Sequence, residues 1–131
     1  MPIVTEFDTK ARYIFLPIYM TTKMGKRRKF DAILDCGAPF TEFSDKALIS
    51  AGYFESLQQG VQIKPGLSTQ KYAKVVIPRV EICTHNLDNL TVYISRFEKF
   101  WGIDALIGLD FFRRFKVTVD YGLGQLVTAP I

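Results

Sequence analysis

A chain of 131 residues that is 48% hydrophobic and 23% charged can bury about two-thirds of its unfolded surface in one core, and it is too apolar to remain disordered. No apolar run reaches the ~18 residues of a membrane span. Glu6 and Asp8 stand where a secretory leader would be apolar, so a cytoplasmic protein with one domain over residues 1–131 and no membrane contact is expected. Two cysteines, Cys36 and Cys83, are too few for a disulfide framework, and with the lone His85 they offer no zinc-ligand spacing, so no metal is expected.

The formal charge of +4 is local. Lys23, Lys26, Arg27, Arg28 and Lys29 are five of the 17 basic residues, which leaves 12 to face 13 acids elsewhere. Nucleic-acid domains spread their basic residues over a face with stacking aromatics between them, whereas this cluster surrounds Gly25 and reads as a charged hairpin tip. A nucleic-acid partner is therefore not expected, although a polyanion contact through the cluster is the alternative reading.

In chain order, the apolar stretch Arg12 to Met20, the polar turn around Gly25 and the apolar Phe30 to Leu34 predict a strand hairpin. Ser44, followed by Asp45, Ala47, Leu48 and Ile49 with Gly52 beyond, carries the start and stop signals of a short helix. Val61 and Ile63 alternate with Gln62 before Lys64-Pro65-Gly66, predicting a second hairpin that returns as a strand from Tyr72 to Cys83. Thr84-His85-Asn86 and Asp88-Asn89 read as turn, and Val92 to Ser95 as strand. An aromatic-rich connection from Phe97 to Gly102 leads to a short buried strand, Ala105 to Gly108. About two helical turns are then predicted over Leu109 to Phe115. Val117 to Tyr121 and Gln125 to Thr128 complete a mostly-β pattern with two short helices.

Within that pattern, Ala32-Ile33-Leu34 delivers Asp35 into Cys36-Gly37-Ala38. A carboxylate behind an apolar strand must be ionised with partners or kept neutral by a raised pKa, and the following glycine lets other backbone approach closely. Asp35 as a plain turn cap is the competing reading of this tetrapeptide.

The second half of the chain bears on that choice. Ala105-Leu106-Ile107-Gly108-Leu109-Asp110-Phe111-Phe112, then Phe115 to Tyr121, follows Asp35-Cys36-Gly37-Ala38 in an order that resembles the retroviral-type, or retropepsin-like, aspartic proteases. The likeness covers most of the chain and is greatest to the cellular and bacterial single-domain branch. It implies a mostly-β acid protease half-barrel with one or two short helices, active as a two-fold dimer. It further implies Asp35 as the catalytic carboxylate in an active-site loop with Cys36, Gly37 and Ala38. Substrate contacts would come from Lys64, Pro65, Gly66 and Leu67 of a flap-like hairpin and from Ile107 and Gly108.

Peptide hydrolysis of this kind needs two carboxylates sharing a proton across a water, and this chain carries one such motif. The resemblance thus implies a homodimer acting on a polypeptide substrate without cofactor, its second Asp35 supplied by the other copy. The short apolar ends, Pro2-Ile3-Val4 and Val127 to Ile131, would contribute to the shared interface. Two departures stand out. Cys36 replaces the Thr or Ser usual after the aspartate, whose hydroxyl bonds across the dimer, and a thiol is a much weaker donor. Pro39 and Phe40 occupy positions where the viral members anchor substrate with an acid. A catalytically weak or inactive dimerisation or peptide-binding domain is the second reading.

Overall fold

The computed structural model describes residues 1–54, 70–98 and 101–131. The expected flap tip, with Lys64, Pro65, Gly66 and Leu67, lies outside them.

Strand alternation builds the core. In β2 (Phe15–Thr21), Leu16, Ile18 and Met20 point inward at 1% exposure or less, and in β3 (Arg27–Leu34) Phe30 and Ala32 meet them. The turn between these strands is closed by Thr22 N–H donating to the Lys26 carbonyl, with Gly25 at φ 85°. The hairpin tip is therefore shorter than its polar composition suggested. Arg27, Arg28 and Lys29 lie on β3 itself, because pairing with Thr21, Met20 and Tyr19 satisfies their backbone whatever their side chains are.

After β3 come β4 (Glu42–Ser44) and α1 (Asp45–Ala51). The helix is capped as its sequence foretold: Ser44 Oγ accepts from Ala47 N–H, and Gly52 closes the end at φ 87°. The long strands β5 (Gln70–Ile82) and β6 (His85–Arg96) form a hairpin joined by only two residues, Cys83 and Thr84, at φ 51° and 64°. The expected turn over His85, Asn86, Asp88 and Asn89 is thus strand instead. Cys83 is 1% exposed, and its burial holds the chain in a left-handed turn that no Asn-Gly signal announces.

β7 (Ala105–Ile107) inserts between β3 and β4, running parallel to the first and antiparallel to the second. The sheet closes as a barrel in the order β2-β3-β7-β4-β6-β5. α2 (Leu109–Phe112) is a single turn where two were expected. Arg114 and Phe115 donate their N–H groups three residues back, to Phe111 and Phe112, which tightens the chain into β8 (Lys116–Asp120). β9 (Gln125–Ala129) then sits between β8 and β1 (Ile3–Glu6) in a separate three-stranded sheet. Ile3–Glu6 and Gln125–Ala129 are thereby paired within the chain, and β1 and β8 are left as the edges of that sheet. Among the described residues no helix is long and apolar enough to cross a membrane.

His85 joins the terminal sheet to the barrel. Its ring lies 4.2 Å from that of Phe115, and its Nε2 is hydrogen-bonded to Thr128 Oγ1 at 2.8 Å. Burial holds its pKa below the usual histidine value. The unfolded chain therefore binds this proton more readily than the folded one. The stability contributed by neutral His85 is fully present above about pH 6.5 and is lost as pH falls from there through the depressed folded value. Thermal melts from pH 7.5 down to 5.5 should show a decreasing midpoint, and His85→Gln should flatten that dependence; an equally steep decline in the variant would assign it to other groups.

Candidate functional site

The insertion of β7 positions the candidate site, because the segments before and after the Asp35 loop both pair with this one strand. Asp35 N–H donates to the Ile107 carbonyl at 3.0 Å and extends the β3–β7 pairing by one residue. The chain then turns sharply: Ala38 N–H donates to the Asp35 carbonyl at 3.1 Å, and Gly37 N–H donates to Asp35 Oδ1 at 3.0 Å. One carboxylate oxygen is thus oriented by the backbone of its own loop. Asp35 is half-buried, Cys36 and Gly37 are exposed, and Ala38 is buried against the core.

The floor of this loop is the start of α2. Leu109 N–H donates to the Ala38 carbonyl at 2.8 Å, and Asp110 N–H donates to the Pro39 carbonyl at 3.1 Å. Gly108 makes this approach feasible, since a Cβ there would lie 2.6 Å from the Phe40 carbonyl carbon and 2.8 Å from the Ala38 oxygen. Thr41, fully buried, completes the brace. Its N–H and its hydroxyl both donate to Asp110 Oδ1, at 3.0 and 2.8 Å, and its hydroxyl oxygen accepts from Gly108 N–H at 3.2 Å.

Asp110, in the first turn of α2, thus commits its Oδ1 outside its own helix. It reaches across to lock the far end of the Asp35 loop. Asp110→Asn keeps an acceptor oxygen for both bonds and should cost about 1 kcal/mol, whereas Asp110→Ala strands two buried donors of Thr41 and should cost about 2–3 kcal/mol. Denaturant titration of the two variants checks the order; equal losses would remove Asp110 from the brace. The signal in the sequence was Thr41 and Asp110 each lying a few residues past a motif glycine, but nothing local pairs them.

Two of the expected contact residues lie beneath the loop. Ile107 is 0% exposed, its side chain in the core, and what it offers the loop is its carbonyl. Gly108 is buried beneath Ala38 and Phe40. Both support the loop from below. Phe40, five residues beyond Asp35, is 44% exposed, with its ring 5.2 Å from that of Tyr93.

The two thiols occupy opposite environments. Burial pushes the Cys83 thiol up to about 11, against a smaller opposing effect of the Thr5 hydroxyl, so it stays protonated in the core. Cys36 is exposed beside Asp35. Among the described residues no three His, Cys, Asp or Glu side chains are grouped to hold a metal ion.

No protein-family model matches the chain, and no curated protein matches it. Its fold is similar to that of solved structures. One is a retropepsin-like aspartic protease from Rickettsia conorii, 12% identical, with a TM-score of 0.66 over 98% of this chain and 90% of that one. Another is the retroviral protease-like domain of Ddi1 from Leishmania major, 17% identical, with a TM-score of 0.63 over 93% of this chain and 92% of that one.

Proposed function

We propose, from the retropepsin-like fold that this chain adopts, that residues 1–131 form one aspartic endopeptidase domain, active as a homodimer on polypeptide substrates. The observation that carries the reading is the placement of Asp35. It lies half-exposed at the closure of β3 on β7, one oxygen held by Gly37 N–H, in a loop braced from below whose Cys36 and Gly37 are exposed.

The chemistry requires a second carboxylate. Asp110 is committed to Thr41, and Asp120 accepts from Leu123 N–H in the turn between β8 and β9. Under this reading Asp35 of a second copy supplies the second carboxylate, as the resemblance to the retropepsin-like family implies. Two such groups sharing one proton bind a water between them. One takes a proton from the water as its oxygen attacks the peptide carbonyl carbon, while the other protonates the carbonyl oxygen; the tetrahedral adduct then collapses with proton transfer to the leaving amine. Cys36, Gly37 and Ala38 shape the loop. Lys64, Pro65, Gly66 and Leu67 are proposed as a hairpin covering the substrate.

Digestion of an unbiased peptide library, read by mass spectrometry at several pH values, tests the activity. Titration with a statine-type inhibitor tests the stoichiometry. The expected results are cleavage and one inhibitor per two chains; an inert chain that binds no inhibitor overturns the reading.

Cys36 favours a second reading, a dimerisation or peptide-binding domain with little or no activity, because a thiol holds a cross-dimer hydrogen bond poorly. Cys36→Thr separates the two. If the missing hydroxyl limits a working enzyme, the substitution should raise the peptidase rate or tighten the dimer by about 1 kcal/mol per restored bond. Unchanged or poorer values of both would show that this position is not what limits the protein.

A further inference from the structure

The basic cluster is not a loose charged tip. Strand alternation splits it. Arg28 shares the face of β3 with buried Phe30 and turns toward α1, while Arg27 points to the outer face of the barrel. Arg28 donates to Ser50 Oγ at 2.9 Å, and Ser50 in turn donates to the Ala47 carbonyl at 2.7 Å. Arg27 lies 3.7 Å over the ring of Tyr19 and is paired with Glu81 at 2.8 Å. Both guanidinium groups are thus oriented before anything binds, which lowers the entropy lost on binding.

Between the hairpin and α1 runs a groove of about 370 Å³. Lys26, Arg27 and Arg28 line it, and none of the described residues lining it is acidic. Met24 and Ile49, 87% and 39% exposed, add an apolar element. Arg27 also lines a second depression, of about 230 Å³, which it shares with Arg79 and with its own partner Glu81. Fixed cations beside exposed apolar side chains complement a ligand that carries both carboxylates and apolar groups.

We propose that the groove between the β2–β3 hairpin and α1 binds an acidic polypeptide segment, its carboxylates on Arg28 and Lys26 and an apolar side chain against Ile49 and Met24. Carboxylates suit Arg28 because its planar fork offers paired N–H donors beyond the one given to Ser50. A nucleic acid fits less well. The rings of Tyr19, Phe30 and Tyr53 are faced by Arg27, Arg28 and Lys23 respectively, so these aromatics are not open platforms for stacking bases. The groove lies at the opposite end of β3 from Asp35, roughly 26 Å along an eight-residue strand. The proposal therefore stands apart from the proteolytic reading.

Fluorescence anisotropy of the whole chain with a fluorescein-labelled peptide of alternating Glu and Leu tests it. Parallel arms use the corresponding Lys and Leu peptide, a single-stranded oligothymidylate and phosphatidylserine vesicles. The acidic peptide should bind with an affinity that falls as salt rises, and Lys26→Glu with Arg28→Glu should weaken it about tenfold or more. Lys26→Gln with Arg28→Gln should act in the same direction if charge reversal disturbs folding. Ser50→Ala should weaken binding about threefold by freeing Arg28, while Arg113→Glu with Lys116→Glu, an equal charge change elsewhere, should leave it unaltered. The proposal is overturned if the acidic peptide does not bind, if both charge-reversal pairs weaken it equally, or if the oligonucleotide or the vesicles bind more tightly through Lys26 and Arg28.

Discussion

Asp35→Asn should reduce peptide hydrolysis by at least roughly 10²–10⁴-fold while leaving the chain folded. The amide is nearly isosteric, and its oxygen can still accept from Gly37 N–H at the position that Asp35 Oδ1 occupies. What it loses is the capacity to share and transfer a proton, the step on which a paired-carboxylate mechanism depends. Circular dichroism and sedimentation should therefore match the parent while the rate falls. Full activity in the variant would end the proposed mechanism. A fold that collapses would instead make Asp35 the structural turn cap that its tetrapeptide also allows.

Gly108→Ala should cost about 3 kcal/mol and lower the thermal midpoint by roughly 10 °C. The new Cβ would sit 2.6 Å from the Phe40 carbonyl carbon, 2.7 Å from its oxygen and 2.8 Å from the Ala38 oxygen. All three are backbone atoms of the loop that carries Asp35, so relief requires moving that loop away from α2. The hydrogen bonds from Leu109 and Asp110 and the Thr41 brace would be strained together. Gly25→Ala makes the contrast. That position has φ 85° but nothing within 4 Å, so only the backbone penalty of about 1 kcal/mol applies. Calorimetry on both variants decides: a Gly108 loss no larger than that at Gly25 would show that the close approach is not what holds the loop.

Much of the architecture was legible because it rests on local chemistry. The Ser44 and Gly52 caps define α1 without help from the rest of the chain, and the alternation of Leu16, Ile18 and Met20 marks one face of β2. Asp35 stood out because an apolar strand running into Asp-Cys-Gly-Ala places a charge where burial is costly. Where local signals and burial disagreed, burial won. His85 and Asn86 carry turn chemistry yet belong to β6, since Cys83 is drawn into the core and takes the turn with it.

The support of the site was legible only in three dimensions. Thr41 and Asp110 are separated by 69 positions, and no periodicity relates them; the parallel insertion of β7 brings them together. The resemblance implied a substrate contact at Ile107, and only the structure shows its side chain in the core and its carbonyl holding Asp35 N–H. The basic cluster shows the same division. Its composition determined that a concentrated positive charge would lie on this hairpin, whereas the pairing of β2 with β3 decided which cations face α1. Sequence determines which groups are present and the local preferences of the backbone. The tertiary structure decides their partners, because a hydrogen bond or a close contact depends on distances that chain separation does not set.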